Sequence, residues 1–257
     1  MSRTPTPTAP SPEAPAPARG GRRASLVVGL GLVLAGLGVL GWYGWEMYGT
    51  TYVAERRHGS VVEQLEREWD ARAGGDTGRD PGDGAGGEAA AGGTPVEAAG
   101  GALAGAVIRI PRFGDDYAVP VLEGVGDDVL ATGYGHFTDS ADPGGRGNYA
   151  VAAHRVTHGE PLRDMPELQP GDDVVVETAD TVYTYRLTSG GDDLVVGFED
   201  YWVVDRLPTN PAGGVQPVQE PGQRLITLTT CASVFETDER MIAFGELVDA
   251  SPRRTTG

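Results

Sequence analysis

The sequence predicts a mainly β domain, a barrel or sandwich of short strands, tied to a membrane by an N-terminal helix and a flexible spacer. Three observations predict it. From Ala106 onward, short alternating or β-branched runs such as "AVIRIP", "YAVPVLEG", "NYAVAAHR", "DVVVET", "TVYTYRLT", "RLITLTTC" and "MIAFGELV" are separated by Gly, Asp and Pro, the texture of strands joined by turns. Ala24 to Trp45 is uncharged for 22 residues, and at 1.5 Å per residue such a helix reaches across a hydrocarbon core of about 30 Å. Residues 73–105 are mostly Gly, Ala, Asp and Glu, with almost nothing to bury.

In chain order, residues 1–23 are rich in Pro, Ala and Thr and read as a disordered cytoplasmic tail. Residues 24–45 read as an uncleaved transmembrane helix rather than a signal peptide, because the run is long for an h-region and no small-x-small site closes it. Arg22 and Arg23 flank its start and Trp42, Tyr43 and Trp45 its end, which places the N-terminus in the cytoplasm and all that follows outside the cell, a single-pass topology. Over residues 46–72, Val61, Val62, Leu65 and Trp69 recur at near-helical spacing and suggest a juxtamembrane helix with His58 facing solvent. Residues 106–249 form the folded domain, with sparse helix around 126–132 and 162–168, and 250–257 are a short tail.

The net charge of −17 has no compensating basic stripe, all 20 basic residues being arginine, so nucleic-acid binding is excluded as a function. Gly-Asp-Asp occurs at 114–116, 126–128, 171–173 and 191–193. The spacing matches no loop of calcium ligands, and turn chemistry accounts for it. No metal is expected.

Cys231 is the single cysteine. It is a buried small hydrophobe, an intermolecular cross-link or a reactive thiol. It ends the strand-like run "RLITLTTC", and Arg240 begins the next strand after eight intervening residues, so two antiparallel neighbours would hold thiol and guanidinium side by side. A thiolate needs a basic or cationic partner. Of His58, His136, His154 and His158, position favours His154, which closes "NYAVAAHR" and would project from a strand end. His136 and His158 sit in loop text where a structural or solvent role is the plain expectation. His154 and His158 are four apart, but a strand over 147–155 removes the shared helical face a zinc site would use. Arg240 is otherwise a surface partner for Glu236, Asp238 or Glu239, and Arg155 a local orienting residue.

"TLTTC" at 227–231, followed by Arg240, resembles the Thr-Leu-x-Thr-Cys…Arg signature of sortases, the membrane-anchored cysteine transpeptidases of Gram-positive bacteria, and "GYGHFTDSADPGGRGNYAVAAHR" at 133–155 is similar to the segment that ends in their catalytic His. The lysine-free composition leans toward the actinobacterial class E. Ala153 departs from the Gly that often precedes the His-Arg pair, and Tyr134 from the Pro of many relatives. The resemblance implies an eight-stranded barrel with short helices and no cofactor. It also implies catalytic roles for Cys231, His154 and Arg240, with Thr230 lining the site; Tyr134 belongs with class-specific substrate recognition. The partners it implies are secreted proteins carrying a C-terminal sorting motif, Leu-Ala-x-Thr-Gly in form and cut between Thr and Gly, with a peptidoglycan precursor amine as acceptor. The alternatives are a pilus polymerase, an L,D-transpeptidase-like wall enzyme and a non-catalytic cell-surface module. The L,D-transpeptidase pattern sets a His close before the Cys, whereas here the nearest, His158, is 73 residues upstream.

Overall fold

The computed structural model describes residues 21–45, 50–75, 96–97, 103–231 and 238–254. The expected tail over residues 1–20, most of the expected spacer and residues 255–257 lie outside them. The chain divides into two units, Met1–Gly44 and Trp45–Gly257.

In the first unit, α1 (Gly21–Gly44) is helical, and its large apolar side chains from Leu26 to Trp42 are exposed on all sides, Leu26 at 72% and Leu40 at 67%. Among the described residues, no helix is long and apolar enough to cross a membrane.

The second unit opens with α2 (Thr50–Gly75). Its strands are β1 (Val96–Glu97), β2 (Leu103–Arg109), β3 (Val119–Glu123), β4 (Tyr134–His136), β5 (Gly147–Ala152), β6 (Asp173–Glu177), β7 (Thr181–Leu187), β8 (Leu194–Gly197), β9 (Arg224–Cys231) and β10 (Glu239–Pro252), with a one-turn helix α3 (Asp127–Leu130) before β4. Pairing runs β2-β3-β4-β5-β9-β10-β7-β6 and closes through β6 with β2, so eight strands form the barrel. β1 pairs only with β2, and β8 lies off the ring on β10. Pairing is antiparallel except for β3 with β4 and β5 with β9. The expected domain start at 106 falls inside β2, and the end at 249 inside β10.

The strand texture explains the barrel. Val174, Val176, Tyr183, Tyr185, Leu187, Ile226, Leu228, Met241 and Ala243 alternate along their strands and fill the interior, as period-two side chains must. β9 is buried on its other face as well: Thr227 and Thr229 alternate with the core residues, and a short helical turn at Tyr201–Val204 covers that side with Ile242 and Phe244 of β10. Two of the Gly-Asp-Asp repeats make the expected turn bonds: Asp172 Oδ2 accepts from Gln169 N at 2.8 Å and Asp193 Oδ2 from Gly190 N at 2.6 Å, while Asp127 and Asp128 open α3 without a side-chain cap.

The helix after the first unit is docked on the barrel. Val61, Val62, Leu65 and Trp69 pack against Ala104, Val107 and Leu122 of β2 and β3. Arg253 of the C-terminal segment bonds Asp70 at 2.6 Å and Glu177 at 2.8 Å, and Arg109 reaches Glu66 at 2.6 Å, bolting the helix to β2, β6 and the chain end. His58, expected to face solvent, is 5% exposed on the same buried face. The near-helical spacing located the helix, while its long charged residues masked which stripe turned inward.

Burial, and next to it the charge of Arg57, pushes the His58 imidazole down to about 4 from 6.5. Below pH 6.5 the unfolded chain therefore takes up a proton that the folded chain refuses, so stability is complete above that pH and falls as pH drops toward 4. The loss expected by pH 4 is about 3 kcal/mol. Urea unfolding of the wild type and of His58→Phe at pH 7 and pH 4 measures it; equal pH dependence in the two proteins would show that His58 is not buried in solution.

Candidate functional site

The three residues singled out from sequence stand at one end of three adjacent strands. In the β9–β10 register, Arg240 is directly opposite Cys231. In the parallel β5–β9 pair, Ala152 is level with Thr229, and Ala153 N still donates to Thr229 O at 3.2 Å. His154 follows two residues beyond Ala152, at the same end of the sheet as Cys231. Because faces alternate with period two, Arg240 lies on the face of Ile242 and Phe244, outside the barrel core, and Cys231, paired opposite it, and His154, two residues past the end of β5, complete a row of backbone positions at this rim. Parallel pairing of β5 with β9 is what delivers two C-terminal strand ends to the same rim.

The residues between them are fixed by polar contacts. The Thr230 hydroxyl, 3% exposed, donates to Ala153 O at 2.7 Å and so joins the end of β9 to the residue before His154. The Thr227 hydroxyl donates to Asn148 Oδ1 at 2.8 Å, and Asn148 Nδ2 donates to Val203 O and Asp205 O at 3.2 and 3.1 Å. This buried network ties the 201–205 segment to β5 and β9. Each buried polar group in it has a partner, as a rigid scaffold requires.

His154 is half-buried and its ring stacks on that of His158, centroids 4.9 Å apart at 27°. Burial lowers its basicity, the positive charge available to His158 lowers it further, and Asp127 at the start of α3 opposes both. The imidazolium is therefore disfavoured relative to a free histidine. Arg240 lies with its guanidinium carbon 4.7 Å from the centre of the Phe198 ring and donates to Glu239 O at 3.0 Å. Phe198, just beyond β8, is 53% exposed, so a cation–π contact orients the guanidinium at an open edge. Residues 232–237, including Glu236, lie outside the described residues, as does the side chain of Cys231.

Tyr134 is fully buried in the core, not at an open entry. Its hydroxyl is 2.8 Å from that of Tyr117, which donates to Pro161 O at 2.8 Å in the loop after His154. The two rings lock that loop from below. His136 is also committed to structure: its Nδ1 faces Glu123 at 3.1 Å, its Nε2 faces Ala141 O at 3.1 Å and Ser140 Oγ at 3.0 Å, and its ring packs on Tyr149. Among the described residues, no group of three or more His, Cys, Asp or Glu side chains is placed to hold a metal ion.

Sequence reasoning passed over Phe198, His158 as a stacking partner, and Asn148. Only the exposed aromatic in "VVGFEDYW" carried any signal; the stacking and the buried amide depend on strands far apart in sequence.

A family model described as "Sortase domain" matches residues 108–248. Sortase SrtE1 of Streptomyces coelicolor is 37% identical over 155 residues, which cover 58% of this chain and 41% of that protein, so the chain spans less than half the length of that relative. Sortase SrtE2 of the same organism is 28% identical over 88% of this chain and 83% of its own length. Among solved structures, sortase E of Streptomyces avermitilis matches with TM-score 0.50 and 39% identity, covering 57% of this chain and 89% of that one. The crystal structure of Sortase E1 of Streptomyces coelicolor with a tripeptide in its active site matches with TM-score 0.51 and 33% identity over 59% and 92% of the respective chains.

Proposed function

Since the chain belongs to the sortase family, we propose that it is a cysteine transpeptidase that cuts a sorting motif of the Leu-Ala-x-Thr-Gly type between Thr and Gly. The acyl group then passes to a cell-wall amine, a peptidoglycan precursor being the proposed acceptor. The observation that carries this reading is the backbone register, which sets Arg240 opposite Cys231 and brings Ala152, two residues before His154, level with Thr229 of β9.

The chemistry follows from the residue types. The Cys231 thiolate adds to the threonine carbonyl carbon, and the electron pair of the C=O bond moves to oxygen. Arg240 donates to that oxyanion, a contribution on the order of 3 kcal/mol in comparable sites. His154 as imidazolium protonates the nitrogen, the C–N bond breaks, and a thioester to Cys231 remains. The neutral imidazole then takes a proton from the incoming amine, which attacks the thioester and returns the thiolate. Thr230 supports the site beside Cys231 by holding the backbone before His154.

A membrane anchor over residues 24–45 is part of the same proposal, with the N-terminus cytoplasmic and the barrel extracellular. Its supports are the 22 uncharged residues and an α1 whose apolar side chains stand exposed; set against it is the lack of a qualifying span among the described residues. Clients are then secreted proteins delivered to the same surface.

Full-length protein in detergent, incubated with Leu-Ala-x-Thr-Gly and Leu-Pro-x-Thr-Gly peptides and a panel of amines, is expected to give Thr-acyl products visible by mass spectrometry. No cleavage of any peptide would overturn the reading, and transfer only to a lysine side chain would redirect it to pilus assembly. In the same assay Tyr134→Phe, which keeps the buried ring and removes the bond to Tyr117, is expected to change the Leu-Ala to Leu-Pro preference about threefold or more. Unchanged selectivity would remove Tyr134 from substrate recognition.

A further inference from the structure

A second histidine reaches the neighbourhood of His154 from a distant part of the chain. His58 of α2, one helical turn after Ala54, lies buried against Gly159. A Cβ on Gly159 would sit 2.6 Å from His58 Cε1 and 3.3 Å from Ala54 Cβ, on backbone with φ +80°. Its neighbours His158 and Glu160 have φ of 54° and 48°, so three successive residues are left-handed and two of them carry side chains. Such backbone persists only where its surroundings hold it. The loop is closed at its base, Leu162 N donating to His154 O at 3.0 Å, and from it the His158 ring reaches back onto His154. An unbroken line of contact thus runs from His58 through Gly159 and His158 to His154.

His58 is also costly where it is. Its Nε2 is buried without a hydrogen-bond partner among the described residues, although its neighbours on that helix face are the apolar Ala54, Val61 and Val62. A titratable ring in an apolar stripe fills a particular shape beside a glycine that leaves room for nothing larger. The charged groups around the line include Arg57 on α2, Asp127 at the start of α3, and on the loop Arg155, His158 and Glu160, the last paired with Arg163 at 2.6 Å.

We propose that His58 is a positioning residue for transpeptidation: wedged against Gly159, it holds the 155–160 loop in its left-handed conformation and keeps His158 stacked on His154. The proposal rests on His154 being the acid–base residue. It makes α2 part of the catalytic apparatus rather than a stalk. Held in place, His158 disfavours the His154 imidazolium; released, it lets His154 become more basic.

The test uses full-length protein in detergent, with two readouts: the imidazole resonances of the four histidines followed by NMR across pH, and kcat/KM for a sorting peptide across pH. In His58→Ala the His154 titration is expected to move up by about half a unit or more, with the acid limb of kcat/KM following it, while the maximum of kcat/KM falls about tenfold because the ring is no longer held in its orientation. His58→Phe, which refills the space with a ring, is expected to restore both. Gly159→Ala, which drives the two elements apart, should act like His58→Ala, and serves in its place if that variant does not fold. A His154 titration unmoved in the folded variants, with only thermal stability lowered, would overturn the proposal and leave α2 a stabilising brace. If the wild type cleaves no sorting peptide, the transpeptidase reading fails, while the NMR titration still decides whether His58 controls His154.

Discussion

Cys231→Ala is expected to abolish peptide cleavage and transfer, a fall on the order of 10⁴-fold or more in kcat, because no other side chain in the row can form the acyl-enzyme. Far-UV circular dichroism should stay unchanged, since the residue ends β9 and alanine continues a strand end readily. The measurement is single-turnover cleavage of a fluorogenic sorting peptide, paired with intact-mass detection of the thioester adduct in the wild type. Activity retained within tenfold in Cys231→Ala would reduce the thiol to packing and end the enzyme reading. The pH profile gives a second view of the same pair. With the His154 imidazole pushed below 6.5 by burial and by His158, the active combination of thiolate and imidazolium is a minority species, and kcat/KM should be bell-shaped with its acid limb below pH 6.5. A flat profile from pH 5 to 10 would contradict it.

Arg240→Ala is expected to lower kcat by about 10²- to 10³-fold, the usual scale for loss of one oxyanion donor. The direct pairing of Arg240 with Cys231 in the strand register is the reason to expect so much. An exposed arginine that served only as a surface ion-pair partner would change activity by less than about threefold. Lysine should not rescue it, because an ammonium lacks the planar fork and the flat face that lies over Phe198. Phe198→Leu is accordingly expected to lower kcat several-fold with little change in KM. Steady-state kinetics of the three variants on one peptide decides between the roles, and near-wild-type kcat in Arg240→Ala would return the guanidinium to the surface.

Much of the barrel was legible because its strands announce themselves locally. "TVYTYRLT" and "DVVVET" alternate with period two, and they are β7 and β6 with alternate residues in the core. Cys231 and Arg240 were readable as neighbours because a short antiparallel connection leaves few other arrangements. His154 was harder: its place beside Cys231 comes from a parallel pairing between segments some 75 residues apart in sequence, and nothing in "NYAVAAHR" names its neighbour. Tyr134 was legible as an unusual residue but not as a buried one, since an aromatic beside glycines serves equally at a rim or in a core.

Strand content, the single cysteine with an arginine at the start of the next strand, and an uncharged N-terminal run of membrane length are all carried by residue type and short spacing. The docking of α2 on the barrel, the place of His58 against Gly159 and the stacking of His158 on His154 emerge only once the chain is packed. The physical reason is range: periodicity and turn chemistry act over a few residues, whereas these contacts join residues 58, 159 and 154 through the packing of whole elements, and burial on one helix face is set by the surface it meets.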